Sequence, residues 1–473
     1  MSIKKEKKER QTGAIKKSFT SQQFKSGAYS SFITILVIAL VVVLNLVFTK
    51  LDLSTDLSSG SLFTLSKETS KIIKGTEDKI TIYYMVQKGN EQEYIERVIN
   101  QYKKVADNIK VVKKDPVTYP GFAEKYVKDT VYDNDAIVVN ETTGAARYVS
   151  NGDMYYQTSD YYSSSTQNYL DVEGRVTSAI QYVLSDDNTK LYTVSGHGET
   201  ELGDSLKTSL EKMNVDMEDL PLMTEGKIPS DCDVLLLNGP TKDLRDEEKE
   251  AVLDYLKAGG DAVILTQYSE ENDTPNIEEI LKYYGLGIQK GVISEGAGHY
   301  VNYTNWIIPS TDSGSDMFSD LGEDEYILMA NAQGITRKDS SSLRSTVAIT
   351  DLLTTSKQSI LKVNPSSGVA EKEKGDLNGP FTTGVYVEET LDDEEQTKLT
   401  VYSTAAVDDV LIQNAVGNMI GEVENSIDAK NLSYSTVYMG VGTQVFWALL
   451  VIIILPAGLL IAGFAIWFIR RRK

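Results

Sequence analysis

The densest set of chemistry-bearing side chains in this sequence is the run Ser195-Gly196-His197-Gly198-Glu199. A hydroxyl, an imidazole and a carboxylate are the parts of a nucleophile, its base and the group that orients the base. In a hydrolase, Ser195 would attack, His197 would take its proton and Glu199 would hold the ring. The spacing weighs against this. Three side chains two residues apart on one loop rarely form a triad, and no G-x-S-x-G elbow is present. Two plainer readings remain. Either the glycines make a turn in which His197 bonds to backbone, or the loop joins a ligand crevice without catalysis.

The surrounding elements decide where such a crevice would lie. Residues 191–194 form a short β-branched and apolar run that stops at Ser195 and Gly196, a strand ending in a loop. Leu202, Leu206, Leu210 and Met213 then fall at helical spacing. Residues 233–238 (DVLLLN) are apolar on both faces, as in a central parallel strand, and Gly239 and Pro240 end them. Thr241 or Asp243 can cap the next helix, whose acidic start (Asp246, Glu247, Glu248) suits a helix N-terminus. Gly259 and Gly260 end that helix, and residues 262–265 return as a third strand. This is an open, mostly parallel α/β unit. Its ligands are expected at the carboxyl ends of the strands. The candidate crevice residues are therefore Ser195, His197, Glu199, Asn238 and Gln267.

Several chemistries are excluded by counts. Cys232 is the only cysteine, so there is no internal disulfide and no cysteine-cluster metal site. Two histidines, His197 and His299, argue against a histidine-rich metal centre. No GxxxxGK[ST] sequence occurs to cradle ATP. An amidotransferase needs a nucleophilic cysteine at a strand-to-helix elbow, whereas Cys232 precedes its strand. No cofactor, no metal and no catalytic residue is expected.

Residues 76–186 read as a separate domain with the order β-α-β-α-β-β-α, thioredoxin-like. Gln87-Lys88-Gly89-Asn90 stands where a redox motif would sit, so thiol–disulfide exchange is excluded. Residues 152–168 (GDMYYQTSDYYSSSTQN) read as a Tyr/Ser-rich surface loop that suits partner or glycan contact.

The two ends differ in kind. Residues 29–48 carry no charge over the length that crosses hydrocarbon, and residues 445–469 are apolar with Trp447 and Trp467 near their ends. Residues 1–28 hold eight Lys/Arg and the tail 470–473 is all basic, so both termini are expected in the cytoplasm. Residues 50–444 would then lie outside, with 35 basic against 66 acidic residues, a net −31 that disfavours nucleic acid. The expected organisation is a basic N-terminus (1–28), a first span (29–48), a connector (50–75), the thioredoxin-like domain (76–186), the α/β domain (187–430), a connector (431–444), a second span (445–469) and a basic tail.

Taken together, the connector LDLS…LFTLSKETSKIIK, the helix VEGRVTSAIQYVL, the SGHGE loop, the pair VLLLNGP and LDYLKAGGDAVIL, and a final anchor ending in RRRK resemble the GldG-type auxiliary component of bacterial ABC transport systems, first associated with gliding motility. The resemblance implies a two-pass protein of the bacterial cell membrane without enzymatic activity, working beside a separate ABC permease and a separate ABC ATPase. It also implies an amidotransferase-like or sugar-binding-like α/β domain. The expected role is to dock or sense an envelope component, glycan or protein, and couple it to the permease. The readings from other classes are an envelope hydrolase built on Ser195, His197 and Glu199, and a stand-alone ligand sensor.

Overall fold

The computed structural model describes residues 61–432 apart from 129, 160–165, 186, 272, 313–314, 319–325, 368, 370, 392–394 and 422–426, together with 441–471 and scattered positions before 61. It forms two compact units, residues 62–435 and the two terminal segments. The first expected span, residues 29–48, falls largely outside the described residues. At the other end, α8 (Val441–Leu449), a π-helical stretch (Leu450–Ile454) and α9 (Leu455–Arg471) form a helical run. Within it, Val445–Ile466 is long and apolar enough to cross a membrane.

In the first domain, α1 (Lys67–Lys74) is capped by Ser66, whose hydroxyl accepts from Thr69 N. Strands β1 (Ile80–Met85) and β2 (Ile109–Lys114) are parallel and joined by α2 (Glu93–Val105). β3 (Asp135–Asn140) and β4 (Ala146–Val149) extend the sheet antiparallel, in the order β2-β1-β3-β4. The expected loop 152–168 is instead largely a hairpin, β5 (Tyr155–Ser159) with β6 (Thr166–Leu170). Tyr and Thr have strong strand propensity, and Tyr156 and Tyr169 pair directly across it with rings 5.5 Å apart. α3 (Val172–Leu184) then adds Val176, Ala179, Ile180 and Val183 to the core that holds Ile80, Ile82 and Tyr102.

The second domain is built on one sheet. β7 (Lys190–Val194), β8 (Asp216–Leu220), β9 (Val234–Asn238), β10 (Asp261–Leu265) and a late strand, β15 (Gln396–Tyr402), are parallel in the order β8-β7-β9-β10-β15. The rest of the sheet is antiparallel: β11 (Leu286–Gln289), β12 (Gly334–Arg337), β13 (Val347–Thr354) and β14 (Thr382–Thr390), with the two residues Ser310–Thr311 paired to β13. The expectation of a mostly parallel sheet is corrected here. β14 and β15 are joined by residues 391–395, and so short a connection permits only an antiparallel pair. β8 escaped the sequence reading because it is an acidic edge strand (DMEDL) with only Leu220 buried.

Alternation along the strands sorts side chains to two layers. Leu191, Val234, Leu236 and Val263 face α4 (Asp204–Lys212) and α7 (Asp409–Ile420) through Leu206, Leu210, Leu411 and Ala415. Tyr192, Leu235, Leu237 and Ile264 face α5 (Asp246–Lys257) and α6 (Pro275–Tyr283) through Val252, Leu256, Ile277 and Ile280. Each fully buried leucine contributes about 2 kcal/mol of transfer free energy. The expected cap of α5 is also corrected. Its N-cap is Arg245, while the Asp243 carboxylate accepts from Asn276 N and Ile277 N and so serves α6.

Gly174, inside α3, tests how tightly the domains meet. A Cβ there would lie 2.3 Å from Asp171 Oδ1, 2.7 Å from Ile427 O and 2.8 Å from Lys212 Cε. Alanine gains about 1 kcal/mol of helix propensity, yet overpacking costs about 1–3 kcal/mol, and here two of three neighbours are held by hydrogen bonds. We expect Gly174→Ala to lower the thermal midpoint of the full-length chain; an unchanged or raised midpoint would show that the returning chain yields easily.

Candidate functional site

The strand order β8-β7-β9-β10-β15 places a topological switch point between β7 and β9, since the connection from β7 runs one way and that from β9 the other. The loops leaving these two strands carry Ser195–Glu199 and Gly239–Asp243. Gly196 and Gly198 adopt φ of +114° and +74°, a left-handed backbone that favours glycine. At Gly198 space is also short, because a Cβ would meet Thr241 Oγ1 at 2.2 Å. The turn folds His197 inward, where it is 1% exposed.

His197 Nδ1 lies 3.1 Å from Glu199 Oε1, and its Nε2 lies 3.1 Å from Glu248 Oε2. Both contacts are hydrogen bonds to ionised carboxylates together only when the ring carries both protons. Its backbone is held as firmly: His197 N donates to Glu199 Oε2 at 2.8 Å, and its carbonyl accepts from Thr241 N and Lys242 N at 3.0 and 2.9 Å. Glu248 is itself 1% exposed and accepts from Arg245 N at 2.7 Å and Arg245 Nη2 at 3.0 Å. Burial by itself would raise the Glu248 carboxyl, but Arg245 and His197 outweigh it and hold the group below the usual value of 4.5.

The remaining predicted residues fall into place around this knot. Ser195 N donates to Leu220 O, and among the described residues no hydrogen bond joins Ser195 to His197. With both ring nitrogens facing glutamates, His197 is not placed to serve Ser195 as a base. Asn238 is buried; its Nδ2 donates to Thr200 O at 2.6 Å, and Thr200 N donates to Asn238 O at 2.8 Å. Gln267 is exposed and sits beside Gly239, where an added Cβ would come within 3.2 Å of its Oε1. The three loops thus meet, but the open space lies to one side of His197. A cavity of about 530 Å³ is lined by Thr200, Gln267, Tyr268, Asn305, Asn331 and Thr404 among others, and Glu270 is the charged group on its wall among the described residues.

Sequence reading missed Glu248 as a partner of His197, taking it only for an acid at a helix start. One signal was available: Glu248, Val252 and Leu256 are four apart, which puts the acid on the buried stripe of α5. The contribution of Asn305, Asn331 and Thr404 had no such signal, since they come from distant connections. Cys232, at the opposite end of β9 from this cavity, is a thiol pushed up to about 11 by burial, so it is not an activated nucleophile.

His197→Ala would leave Glu199 and Glu248 around a buried space without the imidazole that lies between them. Leaving a buried polar group without its hydrogen-bond partner costs about 1–3 kcal/mol, and a loss of at least that order is expected in denaturant unfolding at pH 7. Acid should act on the same knot. A carboxyl held low in the folded state contributes stability that is complete above its unfolded value of 4.5 and is lost as pH falls through the lower folded value. The Glu248→Gln chain should therefore be less stable than wild type at pH 7 and lose less on acidification below that value. Equal acid sensitivity would show that Glu248 carries none of it.

Residues 59–154 match a family model described as a domain of unknown function. No curated protein sequence matches the chain. Among solved structures the chain is similar to the N-terminal domain of mmIFT52, at 14% identity over 51% of this chain and 100% of that one, with a TM-score of 0.36. It is also similar to a protein from Thermoplasma acidophilum described as a GMP synthase component, at 12% identity over 50% of this chain and 96% of that one, TM-score 0.29. PurLQS from Thermotoga maritima is matched at 12% identity over 49% of this chain and 99% of that one, TM-score 0.28. Residues 188–391, which hold the His197 knot and most of the cavity wall, match the family of auxiliary components described as ABC-type uncharacterized transport system.

Proposed function

We propose that this chain is a membrane-anchored, non-catalytic auxiliary component of an ABC transport system, of the GldG type, working beside a separate permease and ATPase. The observation that carries the reading is the family match over residues 188–391. Three further features support it. The helix Val445–Ile466 suits a membrane anchor, no phosphate-cradling GxxxxGK[ST] loop occurs in the sequence, and His197 is engaged by Glu199 and Glu248 rather than by Ser195. In this reading residues 29–48 are a second anchor, both termini are cytoplasmic, and the thioredoxin-like and α/β domains lie outside the membrane.

The crevice at the carboxyl ends of the strands is the receiving site for an envelope component. Its position is where open α/β sheets hold ligands, and its volume of about 530 Å³ is that of a small-molecule site. Its wall of amides and hydroxyls interleaved with Val292, Pro365, Ala405 and Ala406, with a carboxylate and among the described residues no Lys or Arg, suits an uncharged hydrogen-bonding group better than an anion.

A mild-detergent pull-down of the full-length chain, followed by mass spectrometry, should recover an ABC ATPase and a multispanning permease. Recovery of the chain alone would overturn the auxiliary reading and favour a stand-alone sensor. Filling the cavity with Gln267→Trp should leave that recovery unchanged while lowering activity of the transport system in cells. Ser195→Ala should leave both intact; loss of activity in that variant would restore the hydrolase. For topology, protease added to intact cells should cut residues 62–435 and spare reporters fused at either end.

A further inference from the structure

The start of α3, residues 171–175, is where three other stretches of the 62–435 unit meet. From the amino-terminal connector, Ser66 N and Thr69 Oγ1 both donate to Glu173 Oε1, the latter at 2.8 Å. From the carboxyl-terminal side comes β16 (Lys430–Asn431), paired antiparallel with β6 at Leu170 and Tyr169. Lys430 Nζ lies 2.8 Å from Glu173 Oε2 as an ion pair, and donates to Thr64 O at 2.8 Å. From the second domain, Lys212 at the end of α4 donates to both oxygens of Asp171, at 3.0 and 2.9 Å, and to Ile427 O at 2.7 Å. Arg175 adds a contact of 3.3 Å to Asp171 Oδ2 and donates to Thr208 O in α4.

The two carboxylates are each 3% exposed. Each lysine serves two masters. Lys430 joins Glu173 to the amino-terminal connector, and Lys212 joins Asp171 to Ile427, just ahead of the carboxyl-terminal one. A buried charge stripped of one partner is costly, so such attachments tend to be kept or lost together. Gly174 is what permits the approach, since any side chain there would meet Asp171, Ile427 and Lys212 at once. The VEGR sequence that opens α3 is thereby accounted for: Glu173 holds the connectors, Gly174 makes room, and Arg175 braces Asp171 and reaches α4.

We infer that Asp171 and Glu173 form a clasp that fastens the amino-terminal connector and residues 427–431, which lead into the carboxyl-terminal connector, to each other and to the boundary between the two domains. A displacement of either connector is passed through α3 to the other connector and, through Lys212 and Arg175, to α4 and the parallel sheet that bears the cavity. The inference rests on contacts within residues 62–435 and does not depend on the transport reading.

Hydrogen exchange read by mass spectrometry on the full-length chain in detergent tests it. Lys430→Met keeps the aliphatic stem of a partly exposed side chain and removes its charge. It should speed exchange in residues 66–74 and 427–432 together, by roughly tenfold, with a smaller rise in 204–212 and none in 234–238. Glu173→Gln, which keeps the shape, should do the same. Faster exchange confined to 427–432 would overturn the clasp, because the connectors would then be independent. Rises in both connectors with none in 204–212 would overturn its transmission to the second domain. If Glu173→Gln does not fold, Lys430→Met decides.

Discussion

A helix buried on nearly every side must satisfy each polar group it carries, and α3 is that helix. Val172, Glu173, Gly174, Val176, Thr177, Ser178, Ala179, Ile180 and Val183 are all buried, so it has no solvent face on which to leave a charge. Its apolar residues complete the core of the first domain. Its polar residues reach elsewhere: Ser178 donates to Lys212 O, and Tyr182 donates to Asp216 Oδ2 at 2.9 Å. The two domains are therefore joined by groups that neither could leave unpaired. The same logic makes α3 the place where the returning chain must be received.

The second domain obeys a related rule at the switch point. A doubly wound sheet opens a gap where its connections diverge, and here the chain's own loop fills it with His197. An imidazole between two carboxylates is a compact way to bury three polar groups, because the ring's two nitrogens can serve one acid each. The consequence is a displaced cavity. Open space remains beside β10 and β15, where Gln267 and Thr404 are met by Asn305 and Asn331 from the long excursion between β11 and β12. That wall is polar but nearly uncharged, in contrast to the strongly acidic sequence around it.

The three corrections have different causes. The Tyr/Ser-rich stretch became a hairpin because its partner strand lies within the same stretch, and a polar composition conceals a strand that packs on one side only. Asp243 served α6 instead of α5 because the nearer helix start had already been taken by Glu248, which reaches back to Arg245 N. In the antiparallel half of the second sheet, β13 pairs with β14 across residues 355–381 and β11 pairs with β12 across residues 290–333, and pairing over such distances leaves no local signal of strand direction to read.

The sequence by itself determined the α/β character of both domains, the positions of most helices and of β7, β9 and β10, and the exclusion of internal disulfides and cysteine-cluster metal sites. These follow from local quantities, namely periodicity, turn residues and counts, which a chain carries whether folded or not. It also marked the SGHGE loop, Asn238 and Gln267 as neighbours, because strand ends in a parallel sheet share one edge. Tertiary structure decided the rest. That His197 faces Glu248 rather than Ser195, that the cavity opens beside Gln267, and that Lys430 closes on Glu173 all depend on residues brought together from far apart in the sequence. Such contacts are selected by burial and charge pairing in the folded state, where an unpaired group is costly, and not by any preference of the residues concerned for their neighbours in the chain.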